Sequence, residues 1–200
     1  MKSLYNFIIK PLHDRYNNKK KLEGGEELIL NSNIEIFQSV EKRAVVVSKP
    51  SAINTPINVG DEIYIHHNIF RRYYDIRGNE KNSGSFFKDN LFFCEPHQIY
   101  LYKQNNKFIC NLDYCFVQPV ISDDIFSVEK EKPLVGIVKY TNTYLEQKDI
   151  KGGDLVIFTP NSEFEFKINN QLLYCMKSKD IAIKNERYKE DETVYNPSWA

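Results

Sequence analysis

The segment "VGDEIYIHH", Val59 to His67, returns ninety-three residues later as "GGDLVIFTP", Gly152 to Pro160. In each, a Gly-Asp turn feeds an apolar-rich strand. Two further landmarks recur in the same order around it. "AVVVSKP" and "LVGIVKYT" precede the turns at an offset of about ninety residues, and the closing strands "HQIYLYK" and "KDIAIK" follow at an offset of 82, counted from Ile99 to Ile181. Three landmarks in one order predict a duplicated unit. The fold is thereby restricted to one that about 100 residues can complete around a core of their own. The shortfall between offsets of 93 and 82 predicts a net insertion of about eleven residues in the first copy. "FRRYYDIRGNEKNSGSFF", Phe70 to Phe87, is where it falls, so the insertion is placed at about 68–87.

The dominant period is two. In "EFEFKI", Phe164, Phe166 and Ile168 point one way while Glu163, Glu165 and Lys167 point the other, the pattern of a strand with one wet face. Similar short runs follow one another along the chain, with Gly, Pro, Asn or Asp in the gaps. "KQNNKF" and "KINNQL" place Asn-Asn between apolar runs, and Asn tolerates the positive φ that tight hairpins require. No strong helix longer than two turns is expected. Many short strands at regular spacing predict an all-β chain of small barrels or sandwiches. "NFIIK" near the N-terminus and "DIAIK" in the closing strand are apolar enough, as exposed edges, to need covering.

Charge and motifs exclude several functions. Lys plus Arg and Asp plus Glu are each 27, so no bulk field draws the chain to nucleic acid or to an anionic membrane. The N-terminal apolar patch stops at Lys10-Pro11 and no run approaches the length of a membrane span. A cytoplasmic location, or the host cytoplasm for a viral chain, is expected. Cys94, Cys110, Cys115 and Cys175 lack C-x-x-C spacing and read as reduced thiols. His66, His67, Cys94 and His97 make a poor metal set, because adjacent histidines on a strand point to opposite faces. No metal or cofactor is expected. "FRRYYDIR" interleaves Arg71, Arg72 and Arg77 with Phe70, Tyr73 and Tyr74. A base-stacking surface has that look, but a wet hairpin or a subunit contact explains it more cheaply. Nucleophile-elbow, Walker, zincin and dinucleotide fingerprints are all missing, and the chain is expected not to be an enzyme.

"IIKPLHDRYNNKKKLEGGEELIL" resembles the start of the GroES-type co-chaperonins, which open with a strand running into Pro-Leu-His-Asp-Arg and continue to Gly-Gly and an apolar tripeptide; Pro11 to Arg15 match residue for residue. Gly153, Asp154, Val156, Ile157, Phe158, Asp180, Ile181 and Ile183 resemble the end of the same family. The resemblance covers nearly the whole chain in two copies, like the tandem forms of chloroplasts or the divergent homologues of large bacteriophages. It implies two tandem GroES-like β-barrels, residues 1–104 and 105–187, followed by a tail at 188–200. Medium-chain dehydrogenases also contain a GroES-like domain, but beside a Rossmann half that has no counterpart here.

What the resemblance implies for function is a homo-oligomeric co-chaperonin that docks on a GroEL-type chaperonin ring and caps the chamber in which unfolded client proteins fold. ATP hydrolysis would belong to the partner, and no membrane or nucleic acid is involved. The implied partner-binding residues are Gly24, Gly25, Leu28, Ile29 and Leu30. Glu26 and Glu27 separate the glycines from the tripeptide; from pattern alone "EELILNS" reads first as a core strand, and the preceding Gly-Gly with the family resemblance brings the two readings level. The second copy has only Ile125 and Phe126 in "ISDDIFSVEKEKP", with no glycine pair. The rival expectation is a phage structural or assembly adaptor that reuses the barrel and presents Phe70 to Phe87 as its contact surface.

Overall fold

The structure is a computed structural model that describes residues 2–16, 19–21, 27–29, 37–122, 130–185 and 193–198. It is all-β, built of antiparallel sheets, and divides into two compact units, Met1–Lys107 and Phe108–Ala200. The strands of the first unit are β1 (Phe7–Pro11), β2 (Lys19–Lys21), β3 (Glu27–Ile29), β4 (Arg43–Ser48), β5 (Glu62–Ile65), β6 (Arg72–Tyr74), β7 (Glu80–Asn82), β8 (Phe86–Lys88), β9 (Leu91–Cys94) and β10 (Ile99–Gln104). The chain passes between units in β11 (Lys107–Cys110). The second unit holds β12 (Tyr114–Ile121), β13 (Glu131–Tyr140), a short helix α1 (Thr143–Gln147), β14 (Leu155–Phe158), β15 (Phe164–Ile168), β16 (Gln171–Lys177) and β17 (Ile181–Asn185).

The two units are the same sheet drawn twice. The order β10-β5-β4-β1-β9-β8 in the first is matched by β17-β14-β13-β12-β16-β15 in the second. Register agrees as well as order. Ile9 lies opposite Val46 as Val117 lies opposite Val138, and Pro11 opposite Ala44 as Pro119 opposite Gly136. On the other side, Phe7 pairs with Cys94 as Cys115 pairs with Met176. Even the irregularities recur, with a slip in register after Ile8 and after Phe116. A one-residue shift would turn every core side chain to solvent, so agreement in register is a stronger mark of duplication than likeness of sequence.

The Gly-Asp turns show the same repetition at the level of hydrogen bonds. Gly60 and Gly153 have φ of +92° and +90°, a region open to glycine because it has no Cβ. Each N–H donates to the carbonyl of the preceding strand, Gly60 to Val46 at 2.9 Å and Gly153 to Val138 at 2.8 Å. The following carboxylate closes the turn: Asp61 Oδ2 accepts from the Asn58 N–H at 2.8 Å, and Asp154 Oδ2 from the Lys151 N–H at 2.9 Å. The Asn-Asn turns also form as the sequence predicts, with positive φ at Asn105, Asn106, Asn169 and Asn170.

Each unit has its own core, and the cores correspond. Phe7, Ile9, Val46, Ile63, Ile65 and Phe92 are buried in the first, and Cys115, Val117, Val138, Val156, Phe158 and Tyr174 stand at the matching positions of the second. Hydrogen bonding does not close the sheets: β8 is an edge of the first, and β15 and β17 are both edges of the second. A sheet becomes a barrel only when its end strands pair, so the described pairings are those of open sheets.

Three features bear on the sequence reading. The segment "NFIIK" is not an edge, because β1 is hydrogen bonded to β4 on one side and β9 on the other; of the two expected edges only β17 is one. The insertion of the first copy folds as a separate hairpin, β6–β7, where the second copy passes from β14 to β15 through residues 159–163. The C-terminal segment, expected to be a tail, is tied to the second unit. Val194 bridges to Val120, the Ile121 N–H donates to the Thr193 carbonyl at 2.8 Å, and Tyr195 packs on the core.

Candidate functional site

In the first unit the chain leaves the sheet at Pro11 and returns at Arg43, and the excursion between them carries the predicted docking residues. Its neck is zipped by backbone hydrogen bonds, from the Leu12 N–H to the Arg43 carbonyl at 3.1 Å and from the Glu41 N–H to the Arg15 carbonyl at 2.9 Å, and by an antiparallel bridge between Tyr16 and Val40. Both side chains of that bridge are buried.

The matched "PLHDR" run ends in the residue that fixes this neck. Arg15 donates through Nε and Nη2 to the Phe70 carbonyl at 3.2 and 2.7 Å, and through Nη1 to Asn82 Oδ1 at 2.7 Å. Its guanidinium lies 4.8 Å from the centroid of the Phe92 ring. Burial, and then the charge of Arg72, hold Arg15 below its usual pKa. Arg72 makes the second tie: its N–H donates to the Tyr16 hydroxyl at 2.6 Å, its guanidinium stacks on the Tyr16 ring at 4.7 Å, and its Nη1 pairs with Glu80 at 2.8 Å. The excursion is thus clamped at its root to β6–β7. An arginine that makes three hydrogen bonds and covers a ring holds geometry well.

Beyond the neck, β2 and β3 form a two-stranded antiparallel hairpin with Lys19 opposite Ile29, Lys20 opposite Leu28 and Lys21 opposite Glu27. Among the described residues neither strand pairs with any other. Of the predicted docking residues, Leu28 and Ile29 lie on β3, while Gly24, Gly25 and Leu30 fall outside the described residues. The backbone at Leu28 and Ile29 is extended, as the strand reading expects, yet this strand belongs to the excursion and not to the sheet. In the second unit the corresponding excursion is much shorter. The Ser122 N–H donates to the Lys130 carbonyl at 3.0 Å across its neck, and Ile125 and Phe126 lie outside the described residues.

The other candidates lie in the first unit outside this excursion. His66 and His67 stand side by side with rings 4.4 Å apart, because β5 has ended and a 3-10 turn starts at His67, so the alternation of a strand does not apply. His66 Nδ1 accepts from the Asn68 N–H at 3.1 Å. Burial lowers both, joined at His66 by the charge of His97 and at His67 by those of His66, Lys42 and Arg71, which bring His67 to about 4. His97 pairs with Glu95 at 3.3 Å, and burial pushes the Cys94 thiol far up. Among the described residues no group of three or more His, Cys, Asp or Glu is placed to hold a metal ion. No helix of the described residues is long and apolar enough to cross a membrane. "FRRYYDIR" is a hairpin whose turn is held by Asp75, which accepts from the Arg77 and Asn79 N–H groups at 2.9 and 2.8 Å. Tyr73, Tyr74 and Ile76 point outward, Ile76 fully exposed.

The clamp at Arg15 was missed in the sequence, where the run served only as a family signature. A lone arginine directly after an apolar strand, ahead of a long polar insertion, was the available signal. The chain matches no family model and no curated protein sequence.

Proposed function

We propose that this protein is a non-enzymatic co-chaperonin of two tandem GroES-like barrels, which assembles as a homo-oligomer and caps a GroEL-type chaperonin ring. One observation carries the reading. The excursion between the first two sheet strands of the first unit bears the apolar Leu28 and Ile29 on a hairpin that pairs only with itself among the described residues, and its root is fixed by Arg15 and Tyr16. A clamped root with an unpaired apolar hairpin suits a docking element. Each apolar side chain buried in a partner groove contributes about 1.5–3 kcal/mol, and ordering the loop costs about 1–2 kcal/mol per residue. A single loop therefore binds weakly, and several in one ring bind well through effective concentration.

Size-exclusion chromatography with a GroEL-type ring tests this directly. Co-elution that depends on nucleotide is the expected result; free elution under all nucleotide conditions counts against it. A second reading, an assembly adaptor with β6–β7 as its contact surface, is favoured by the outward Tyr73, Tyr74 and Ile76. It predicts that substitutions on β6–β7, and none on β3, abolish partner capture.

A further inference from the structure

The first unit contains a polar cleft of about 580 Å³. Asn6, Asn68, Arg71, Tyr73, Ser83, Gly84, Ser85, Phe93, Glu95 and Gln98 line it. One wall comes from the β6–β7 insertion and the segment that leads from it to β8, which the second unit lacks. The cleft is unusual in how many of its donors the fold leaves unused. Arg71 is half-buried, its Nε is sealed from solvent without a hydrogen-bond partner, and among the described residues its guanidinium makes no ion pair. The side chains of Asn6, Asn68 and Ser85 likewise form no hydrogen bond among the described residues. Ser83 is committed, its hydroxyl donating to the Ile69 carbonyl at 2.6 Å.

We propose that this cleft binds a small oxyanion-bearing ligand, a phosphate ester or a carboxylate, with the anionic group seated on Arg71 and the free donors of Asn6, Asn68 and Ser85. A guanidinium with a sealed, unpartnered Nε and no protein carboxylate has donors to offer an anion, and its planar fork matches both anions. The one carboxylate in the lining is Glu95, an exposed side chain whose Oε2 lies 3.3 Å from His97 Nδ1. It marks the end of the cleft that takes a hydroxyl or amine donor of the ligand. The rings of Tyr73 and Phe93 supply an apolar wall for the ligand's body. The site is independent of ring docking and stands or falls separately from it.

Amide chemical shifts of the full chain, titrated with inorganic phosphate and in parallel with acetate at fixed ionic strength, test the proposal. Saturable shifts confined to Asn68, Arg71 and Ser83 to Ser85 are expected with at least one of the two. The stronger responder identifies the ligand as phosphate ester or carboxylate. Arg71→Gln is expected to weaken binding by about tenfold or more, the loss of one charge-assisted hydrogen bond. Asn6→Asp, which brings a negative charge into the cleft from outside the core, is expected to weaken it with an unchanged melting temperature, and it decides the matter where Arg71→Gln fails to fold. Shifts that grow linearly and spread over exposed lysines with both anions, or folded variants that bind as wild type, overturn the proposal.

Discussion

At the scale of the residue, the two copies show where duplication has drifted. The turn carboxylate that is half-exposed in the first copy is buried in the second, where Asp154 pairs with Lys184 at 3.3 Å; its twin Asp61 accepts instead from Gln104 Nε2 at 2.6 Å. The residue opposite the proline of each unit's first sheet strand has drifted too. Ala44 lies opposite Pro11, but Gly136 lies opposite Pro119, and a Cβ on Gly136 would sit 2.3 Å from Val117 Cγ1 and 2.8 Å from the Gln118 carbonyl oxygen. The residue that serves in one copy is therefore barred from the other: Gly136→Ala is expected to destabilise the second unit by about 1–3 kcal/mol, read from urea melts, whereas Ala44→Gly leaves the second unit's transition in place. His66 and His67 predict a pH dependence. Their folded pKa values lie below the ordinary 6.5, His67 at about 4, chiefly through burial. The unfolded chain thus binds protons first, so their contribution is intact above pH 6.5 and is lost as pH falls toward 4. A His67→Gln variant is expected to lose less stability than wild type across that window; equal slopes contradict the assignment.

At the scale of the element, the β-strands were legible wherever their own residues decide them. The Asn-Asn turns and the Gly-Asp turns appear where the turn chemistry places them, and the alternation in Phe164–Ile168 buries Phe166 and Ile168 while Phe164, at the strand's start, stays exposed. What the strand's own residues do not state is its neighbours. "NFIIK" looks like a terminal edge because it comes first in the chain, yet β9 arrives from more than eighty residues later to cover it. The tail was illegible for a related reason. "TVYNPS" is short and follows a charged run, and its only signals were Val194 and Tyr195. Its ties are nonetheless specific: Asn196 Oδ1 accepts from the Leu172 N–H at 2.9 Å, and the Tyr195 N–H donates to the Pro119 carbonyl at 2.8 Å. A chain ending at Asn185 is expected to lose about 1–3 kcal/mol for each buried backbone group left unsatisfied. Calorimetry that shows an unchanged second-unit transition contradicts this role for the tail.

At the scale of the whole molecule, the duplication read from three landmarks extends to every shared strand; the first unit adds the long excursion and the β6–β7 hairpin that clamps its root, and the second adds the short helix α1 and the C-terminal segment tied at Val194 and Tyr195. The docking question was also undecidable from the sequence, because "EELILNS" fits a core strand and a presented loop equally well. Leu28 and Ile29 lie on a strand that, among the described residues, pairs only with β2. The most direct measurement is the nucleotide-dependent binding of wild type and Ile29→Asp to a GroEL-type ring, with the melting temperature of each. The substitution removes about 2 kcal/mol of apolar burial per loop and adds the cost of desolvating a charge. Multiplied around a ring, it is predicted to abolish binding while the melting temperature stays nearly unchanged. Unimpaired binding by Ile29→Asp, or a collapse of the melting temperature that shows Ile29 to be core, would contradict the account.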